Sequence, residues 1–366
     1  MNPTKKTIVA VHLLNDFSGS PLIFTQALKG LQAAGHPVIV HTSKGRTGFL
    51  DRLDTKVVHF PYRFFENSLL RLTAFLFSQF YIFCQLLRYR NKEIIIYVNT
   101  LLPFGAALAG ALMGKKVVYH IHESYIRPQL LKNFLRYIAN VTADTVFYVS
   151  NYLMNEEKLS GVHGQVIYNA LPDEFVKEAE AYQYHPVSGN AFHVLMVCSL
   201  KDYKGVPQYI DLARRHPSLH FDLVLNAGEE DIQTYFGSKE ITSNLTIFPV
   251  QQNLDAFYRR ASLVVNLTNP ALCIETFGMT ILEAMCYGVP VIAPPKGGPA
   301  EIVQEEVNGF MIDVRDEATL DFRLQYLAQN PDFMEKLSAA ARKTSTQFRS
   351  STFQEAVTQT IEKTNN

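Results

Sequence analysis

The sequence predicts an α/β chain of two doubly wound parallel-sheet domains facing each other across a cleft. Three observations point there. Short apolar, β-branched runs alternate with helical patterns, the signature of strands joined by crossover helices. The alternation occurs as two series, interrupted from Asn169 to Asn190 by an aperiodic stretch rich in Pro, Tyr and acid. The length of 366 residues suits two domains, and 47% hydrophobic residues supply enough apolar matter for two cores.

In the first series Ile8–Leu14, Val38–His41, Ile94–Val98, Val117–Ile121 and Thr145–Val149 read as strands of one sheet, with Leu22–Ala34, Phe104–Met113 and Leu130–Ile138 as helices between them. Gly35-His36-Pro37 ends the first helix with a glycine stop followed by proline. The second series places strands at Phe192–Val197, Phe221–Leu225, Leu245–Phe248, Leu263–Leu267 and Pro290–Ala293, with helices at Val206–Arg215, Leu254–Ala261 and Met279–Tyr287. Leu320–Gln347 and Thr352–Lys363 are helical. The expected boundaries are a first domain over 1–170 completed by helix 350–366, a linker over 171–190, and a second domain over 191–349. Ligands of such sheets bind at the strand carboxyl ends.

Composition narrows the class. Cys84, Cys198, Cys273 and Cys286 are scattered singly, which argues against a disulfide scaffold or a cysteine zinc site and for a reducing compartment. A net charge of zero argues against a generic nucleic-acid binder. That zero hides an asymmetry: residues 1–170 hold 18 Lys and Arg against 9 Asp and Glu, whereas 171–366 hold 16 against 25. Lobes of opposite sign would attract, and the basic one would favour anionic surfaces; solvated faces are the plainer alternative. The polar start, Met1 to Lys6, leads into a first buried strand rather than a secretory core. Leu72–Leu87 is the most apolar segment, at sixteen residues shorter than the roughly 20 that cross a bilayer. With Arg71, Arg88, Arg90 and Lys92 at its flanks, it is either a core helix or one partly inserted in a membrane surface.

The chemistry concentrates between Arg260 and Lys296, where Glu275 and Glu283 carry the only formal charges. Burying such carboxylates without partners costs several kcal/mol, so they need hydrogen-bond donors, which a polyhydroxylated ligand would supply. Phe277-Gly278-Met279 should begin a helix and Gly288 end it, placing Glu283 about 7–8 Å along the axis at 1.5 Å per residue. Between the acids, the free amides of the helix N-terminus suit phosphate oxygens. The alternative makes Glu275 a helix-start acid and Glu283 one end of a buried salt bridge.

The run from Glu275-Thr-Phe-Gly-Met-Thr-Ile-Leu-Glu283 to Gly288-Val-Pro290, with Gly297-Gly298, Glu301 and Asn308-Gly309 behind it, resembles the E-x7-E region of retaining glycosyltransferase family 4. Weaker echoes lie at Val117–Glu123, Val149-Ser150-Asn151, Ile167-Tyr168-Asn169 and Lys204-Gly205-Val206. The resemblance implies the GT-B fold of two Rossmann-like domains. It implies that Glu275 with Thr276, Phe277, Gly278 and Met279 holds the donor sugar, that Glu275 lies near the anomeric carbon, and that Glu283 grips the ribose. Of the usual basic pair on the diphosphate, Lys204 matches, while Ser199 stands where an Arg is usual, leaving Lys201 or Lys204 to carry the leaving-group charge. Gly19-Ser20-Pro21 keeps one glycine of the first-loop pair, and Ser20-Pro21 resembles an N-cap followed by proline at the first helical position. His122, on one strand face with His120, matches the cleft histidine that contacts the transferred sugar; a plain hydrogen-bonded histidine and a zinc pair are the alternatives.

The implied function is transfer of a hexosyl unit from a nucleotide diphosphate sugar to a hydroxyl acceptor with retention, catalysed by Glu275, Lys204 and His122 without metal or cofactor. No Asp-x-Asp motif is present. The acceptor expected is an envelope or lipid-linked glycan, in the cytoplasm, with peripheral docking on an anionic inner membrane face. A non-catalytic sugar-nucleotide binder is motivated by Ser199, and a nucleotide-sugar epimerase or phosphate-acceptor synthase would share the fold. A nicotinamide enzyme is disfavoured because no G-x-G-x-x-G follows the first strand.

Overall fold

The computed structural model describes residues 5–237 and 239–364, so most of the polar start at Met1 to Lys6 and the last two residues of 350–366 lie outside it. The chain divides into two compact units, one of residues 1–170 with 350–366 and one of 171–349.

The first unit runs β1 (Thr7–Val11), α1 (Gly19–Ala33), β2 (Val38–Ser43), β3 (Lys56–Phe60), α2 (Ser68–Leu86), β4 (Ile94–Asn99), α3 (Phe104–Leu112), β5 (Lys116–Ile121), α4 (Gln129–Thr142), β6 (Thr145–Tyr148), α5 (Asn151–Glu157) and β7 (His163–Val166). Its parallel sheet has the order β3-β2-β1-β4-β5-β6-β7. The central strands are apolar end to end, as burial on both faces requires: every residue of β4, Ile-Ile-Ile-Tyr-Val-Asn, is buried.

The second unit runs α6 (Asp173–Glu180), β8 (His193–Cys198), α7 (Val206–Arg215), β9 (His220–Leu225), α8 (Glu229–Phe236), β10 (Leu245–Phe248), α9 (Asp255–Arg260), β11 (Leu263–Val265), α10 (Met279–Cys286), β12 (Val291–Ala293), α11 (Pro299–Ile302), β13 (Gly309–Met311), α12 (Glu317–Gln329) and α13 (Pro331–Ser345). Its six strands are parallel in the order β10-β9-β8-β11-β12-β13. The last helix, α14 (Ser350–Thr364), packs against α1 of the first unit. Both sheets are thus doubly wound, with the strand order reversing between β1 and β4 in one and between β8 and β11 in the other.

Several expectations need correction. The stretch 171–190 is not a bare linker: it carries α6, the Arg342 guanidinium donates to the Ala179 and Tyr182 carbonyls, and the Tyr184 hydroxyl donates to Ser262 O at 2.9 Å. Leu320–Gln347 is cut at Asn330-Pro331, since proline cannot continue a helix, and becomes α12 and α13. Strand β1 stops at Val11, short of Leu14. The helix expected from Ser20-Pro21 begins earlier: Ser18 is the extended N-cap residue and Gly19 the first helical one.

Helix α2 is longer than the sixteen-residue apolar run suggested, and its buried face mixes Phe75, Ile82 and Leu86 with polar side chains. With the short 3-10 turn that follows, Ser68–Tyr89 makes 22 residues, long and apolar enough to cross a membrane by length and composition. Yet Ser78, Gln79 and Gln85 face the domain and are buried, while Leu69, Leu72, Leu76, Phe77 and Phe80 are exposed.

Candidate active site

In the first unit the polar residues gather where the strand order reverses. Asn99 ends β4, and its Nδ2 donates to His12 Nδ1 at 3.0 Å and to Ser20 O at 3.2 Å, while its Oδ1 accepts from His122 Nε2 at 2.8 Å. One amide therefore ties the end of β1, the start of α1 and the end of β5, and as its acceptor His12 Nδ1 carries no proton. Burial agrees, holding His12 down to about 4 and His120 to about 3; His122 is lowered well below the usual histidine range by burial and then by its two histidine neighbours. The His120 and His122 rings lie 4.2 Å apart, on one face as strand periodicity requires. Among the described residues no group of three or more His, Cys, Asp and Glu could hold a metal ion.

The Gly19-Ser20 turn is held from below. The Asp16 carboxylate accepts from Ser18 N at 3.0 Å and Ser18 Oγ at 2.5 Å, and Asn15 bridges Leu50 N and Asp51. Beside His122, the Glu123 carboxylate accepts from Leu101 N at 2.9 Å and His122 N at 3.2 Å; burial nevertheless pushes it up to about 7. Thr100, between Asn99 and Leu101, has φ +68, a left-handed conformation that a β-branched residue adopts only under constraint.

In the second unit the reversal between β8 and β11 carries the second constellation. After β8, Ser199 is half-buried and its carbonyl accepts from Lys201 N at 2.8 Å; the exposed Lys201 leads into the 3-10 turn Asp202–Lys204. Gly205 has φ +87, and a Cβ there would stand 2.3 Å from Leu267 O, so only glycine lets this turn settle on the end of β11. Asn269 N donates to Tyr203 O at 2.8 Å and completes the contact.

That docking brings Lys204 Nζ to 2.6 Å from Glu275 Oε2, with the two side chains 21% and 18% exposed. Thr268 donates through N and Oγ1 to Asn266 Oδ1, which turns the Asn266 amide so that Nδ2 reaches Glu275 Oε2 at 3.5 Å. Burial disfavours both charges. For Glu275, Lys204 with Asn266 and Thr268 outweighs it and holds the carboxyl below its usual range; for Lys204, the carboxylate outweighs it and raises the ammonium. Cys198, alongside, is pushed up to about 12 by burial and stays an inert thiol.

Glu275, Thr276, Phe277 and Gly278 form the loop into α10, with Gly278 the N-cap at φ +101 and Met279 the first helical residue. Gly288, at φ +74, follows the helix end, and Glu283 is the fifth helical residue, as the sequence spacing required. The loop lies backbone to backbone on Gly297-Gly298. A Cβ on Gly297 would stand 2.1 Å from Glu275 O, and one on Gly298 2.4 Å from Phe277 Cα, while Gly298 N donates to Glu275 O at 3.0 Å. Phe277 is buried, its ring edge-on to Phe348 at 5.9 Å. Asn308 does structural work, donating to Ile302 O and Thr344 Oγ1 and accepting from Gln304 N.

Glu283 accepts from the buried Tyr258 hydroxyl at 2.6 Å, and burial raises it above the usual carboxylate range despite that bond. The inference that a ligand must supply donors for both acids is therefore corrected: Lys204, Asn266 and Tyr258 are donors within the chain. Sequence reasoning missed His12, Asn99, Asn266, Thr268 and Tyr258. His12, Asn99 and Asn266 end their strands at the reversal points, a signal that follows from strand order; Tyr258 carries none.

Comparison with known proteins gives the family and agrees with the fold. Residues 19–175 match the family model for Glycosyltransferase Family 4 and residues 179–344 that for Glycosyl transferases group 1. A sucrose synthase of Melioribacter roseus is 47% identical over 78 residues, 20% of this chain and 10% of that protein. Sucrose-phosphate synthase 4 of Arabidopsis thaliana is 37% identical over 81 residues, 22% of this chain and 8% of that protein. The chain thus spans about a tenth of the length of these curated relatives. The Anabaena protein Alr3699/HepE, solved in complex with UDP-glucose, superposes with a TM-score of 0.77 at 19% identity, covering 98% of this chain and all of that one, and shares the fold.

Proposed function

The chain belongs to glycosyltransferase family 4, and on that premise we propose that it moves a hexosyl unit from a nucleotide diphosphate sugar to a hydroxyl acceptor with retention of anomeric configuration. The observation that carries the proposal is the Lys204–Glu275 pair, set beside the N-terminus of α10 with Glu283 in its second turn. A departing nucleoside diphosphate gains negative charge as the glycosidic bond breaks. Lys204 and the N-terminal dipole of α10 offset it by fixed charge and dipole, with no metal required. Glu283 accepts from the ribose hydroxyls, and Glu275 accepts from a sugar hydroxyl on the face where positive charge develops at the anomeric carbon.

Because Lys204 and Glu275 are each other's counter-ions, binding proceeds as an exchange: the diphosphate takes the ammonium, and the sugar hydroxyls take over the carboxylate. His122, bonded to Asn99 and held neutral by burial, is a hydrogen-bonding group for the transferred sugar rather than a cation. Uridine is the base to try first, since the Anabaena protein of the same fold was solved with UDP-glucose. The basic first unit favours an anionic glycan or lipid-linked acceptor of the cell envelope, reached from the cytoplasmic side.

The test is incubation of the chain with UDP-glucose and other nucleotide sugars, followed by nuclear magnetic resonance of the product. An α-linked product from an α-linked donor supports the reading, and a β-linked one refutes retention. Ser199 at the position of the usual arginine favours a second reading, a sugar-nucleotide binder without turnover. Tight binding with hydrolysis and transfer no faster than in Glu275→Ala would select it.

A further inference from the structure

We infer that the outer face of the α2–α3–α4 layer is a docking surface for an anionic lipid bilayer, on which α2 lies flat with its leucines and phenylalanines among the lipids. The inference concerns the first unit alone and stands whether or not the donor site is assigned correctly.

The first observation is the apolar outer face of α2, which stays exposed although Phe75, Ile82 and Leu86 are buried beneath it. A helix on a water-facing domain surface buries its apolar stripe and exposes its polar one. Here Gln79 Oε1 accepts from Gly105 N at 3.1 Å, and Gln85 bridges His41 Nδ1 at 2.9 Å and His59 O at 3.2 Å, all on the inward side. Outward stand Leu69 at 68% exposure, Phe77 at 58% and Phe80 at 66%. The inward hydrogen bonds pin the helix along the domain, so it lies on a membrane rather than across one.

The second observation extends the face. Phe104 of α3 packs edge-on between Phe75 of α2 and Phe134 of α4, at 5.8 and 5.2 Å, so the three helices form one layer. On α4, Leu130, Phe134, Tyr137 and Val141 recur at helical spacing and are all exposed. Large exposed apolar side chains on two helices of one layer mark a contact surface.

Charge selects the occupant. Neither α2 nor α4 contains an acid, and at their borders Arg63, Arg88, Arg90, Lys92 and Arg127 outnumber Glu66 and Glu93. A second copy of this chain docked through the same face by a two-fold axis would set these cations against one another. An anionic headgroup layer neutralises them, each basic residue adding roughly fivefold to binding near such a surface.

The test is sedimentation of the full chain with vesicles of phosphatidylcholine alone or containing about a third phosphatidylglycerol. The expected result is binding at least tenfold tighter to the anionic vesicles, weakening with salt. A Leu76→Glu/Phe80→Glu double variant should lose tenfold or more of that binding, and Arg88→Gln/Arg90→Gln/Lys92→Gln about 100-fold. In the same proteins, the shift of melting temperature by UDP reads folding and the donor site separately: its absence in all of them would refute nucleotide binding while leaving the vesicle result standing. No sedimentation, equal sedimentation with neutral vesicles, or wild-type binding by a folded Leu76→Glu/Phe80→Glu protein overturns the inference. So does a dimer that this variant dissociates in the absence of lipid binding, which would make the face an interface between copies.

Discussion

Lys204 and Glu275 come from loops 71 residues apart and meet at 2.6 Å, each serving as the other's counter-ion. The pair makes the donor loop and the lysine turn a single mechanical unit, because neither charge can leave without stranding its partner in a mostly buried setting.

Removal of one partner should therefore register twice. Lys204→Ala should cost about 3 kcal/mol of unfolding free energy by urea titration. It should also slow transfer on the order of 100-fold, since the leaving diphosphate loses its cation. Glu275→Gln, which keeps shape and removes the charge, should melt closer to wild type yet fall in turnover by a similar factor. Wild-type turnover in both variants would remove the pair from the mechanism.

Nucleotide affinity should rise with pH just above the ordinary carboxylate range. Glu283 is raised by burial, so part of it is protonated there, and ribose hydroxyls donate more strongly to its ionised form. Binding should consequently release protons in that window, measurable by calorimetry in buffers of different ionisation enthalpy. Tyr258→Phe removes a hydrogen bond that lowers the carboxyl pKa and should move the window upward.

Glu123 should give the first unit an alkaline weakness. Its folded pKa, about 7, lies above that of an unfolded glutamate, so the native state binds more protons between about 4.5 and 7. Stability should fall as pH rises through that range, by on the order of 2–3 kcal/mol at most. Glu123→Gln, which carries no titration, should flatten the curve in urea melts taken from pH 5 to 8.

Gly298→Ala should uncouple the donor loop with little change elsewhere. The added methyl would stand 2.4 Å from both Phe277 Cα and Thr276 O, which are backbone atoms that cannot rotate away. The expected outcome is loss of the nucleotide-induced melting shift, with the circular dichroism of the fold retained.

Much of this was legible in the sequence where a local rule acts alone. The glycines at 278 and 288 bracketed α10, and the run of apolar strands gave both sheets, because left-handed backbone and two-sided burial each select their residues directly. The edge strands β3, β7 and β13 were missed: half-exposed His-Gly-Gln-Val has no apolar period to read, and Gly309–Met311 is only three residues long. Tyr258 was invisible because its bond to Glu283 depends on how α9 packs on α10. The apolar outer face of α2 was undecidable from composition, since Leu72–Leu87 has the same letters whichever side faces the sheet.

The return of α14 to the first unit also sets an order of events during synthesis. The seven-stranded sheet leaves the ribosome early, but the helix that packs on α1 follows some 180 residues later. At 5–20 residues per second, that leaves the flank of α1 uncovered for about 10–40 s. The intervening unit, being continuous in sequence, can finish folding inside that interval, so the half made first is the half completed last.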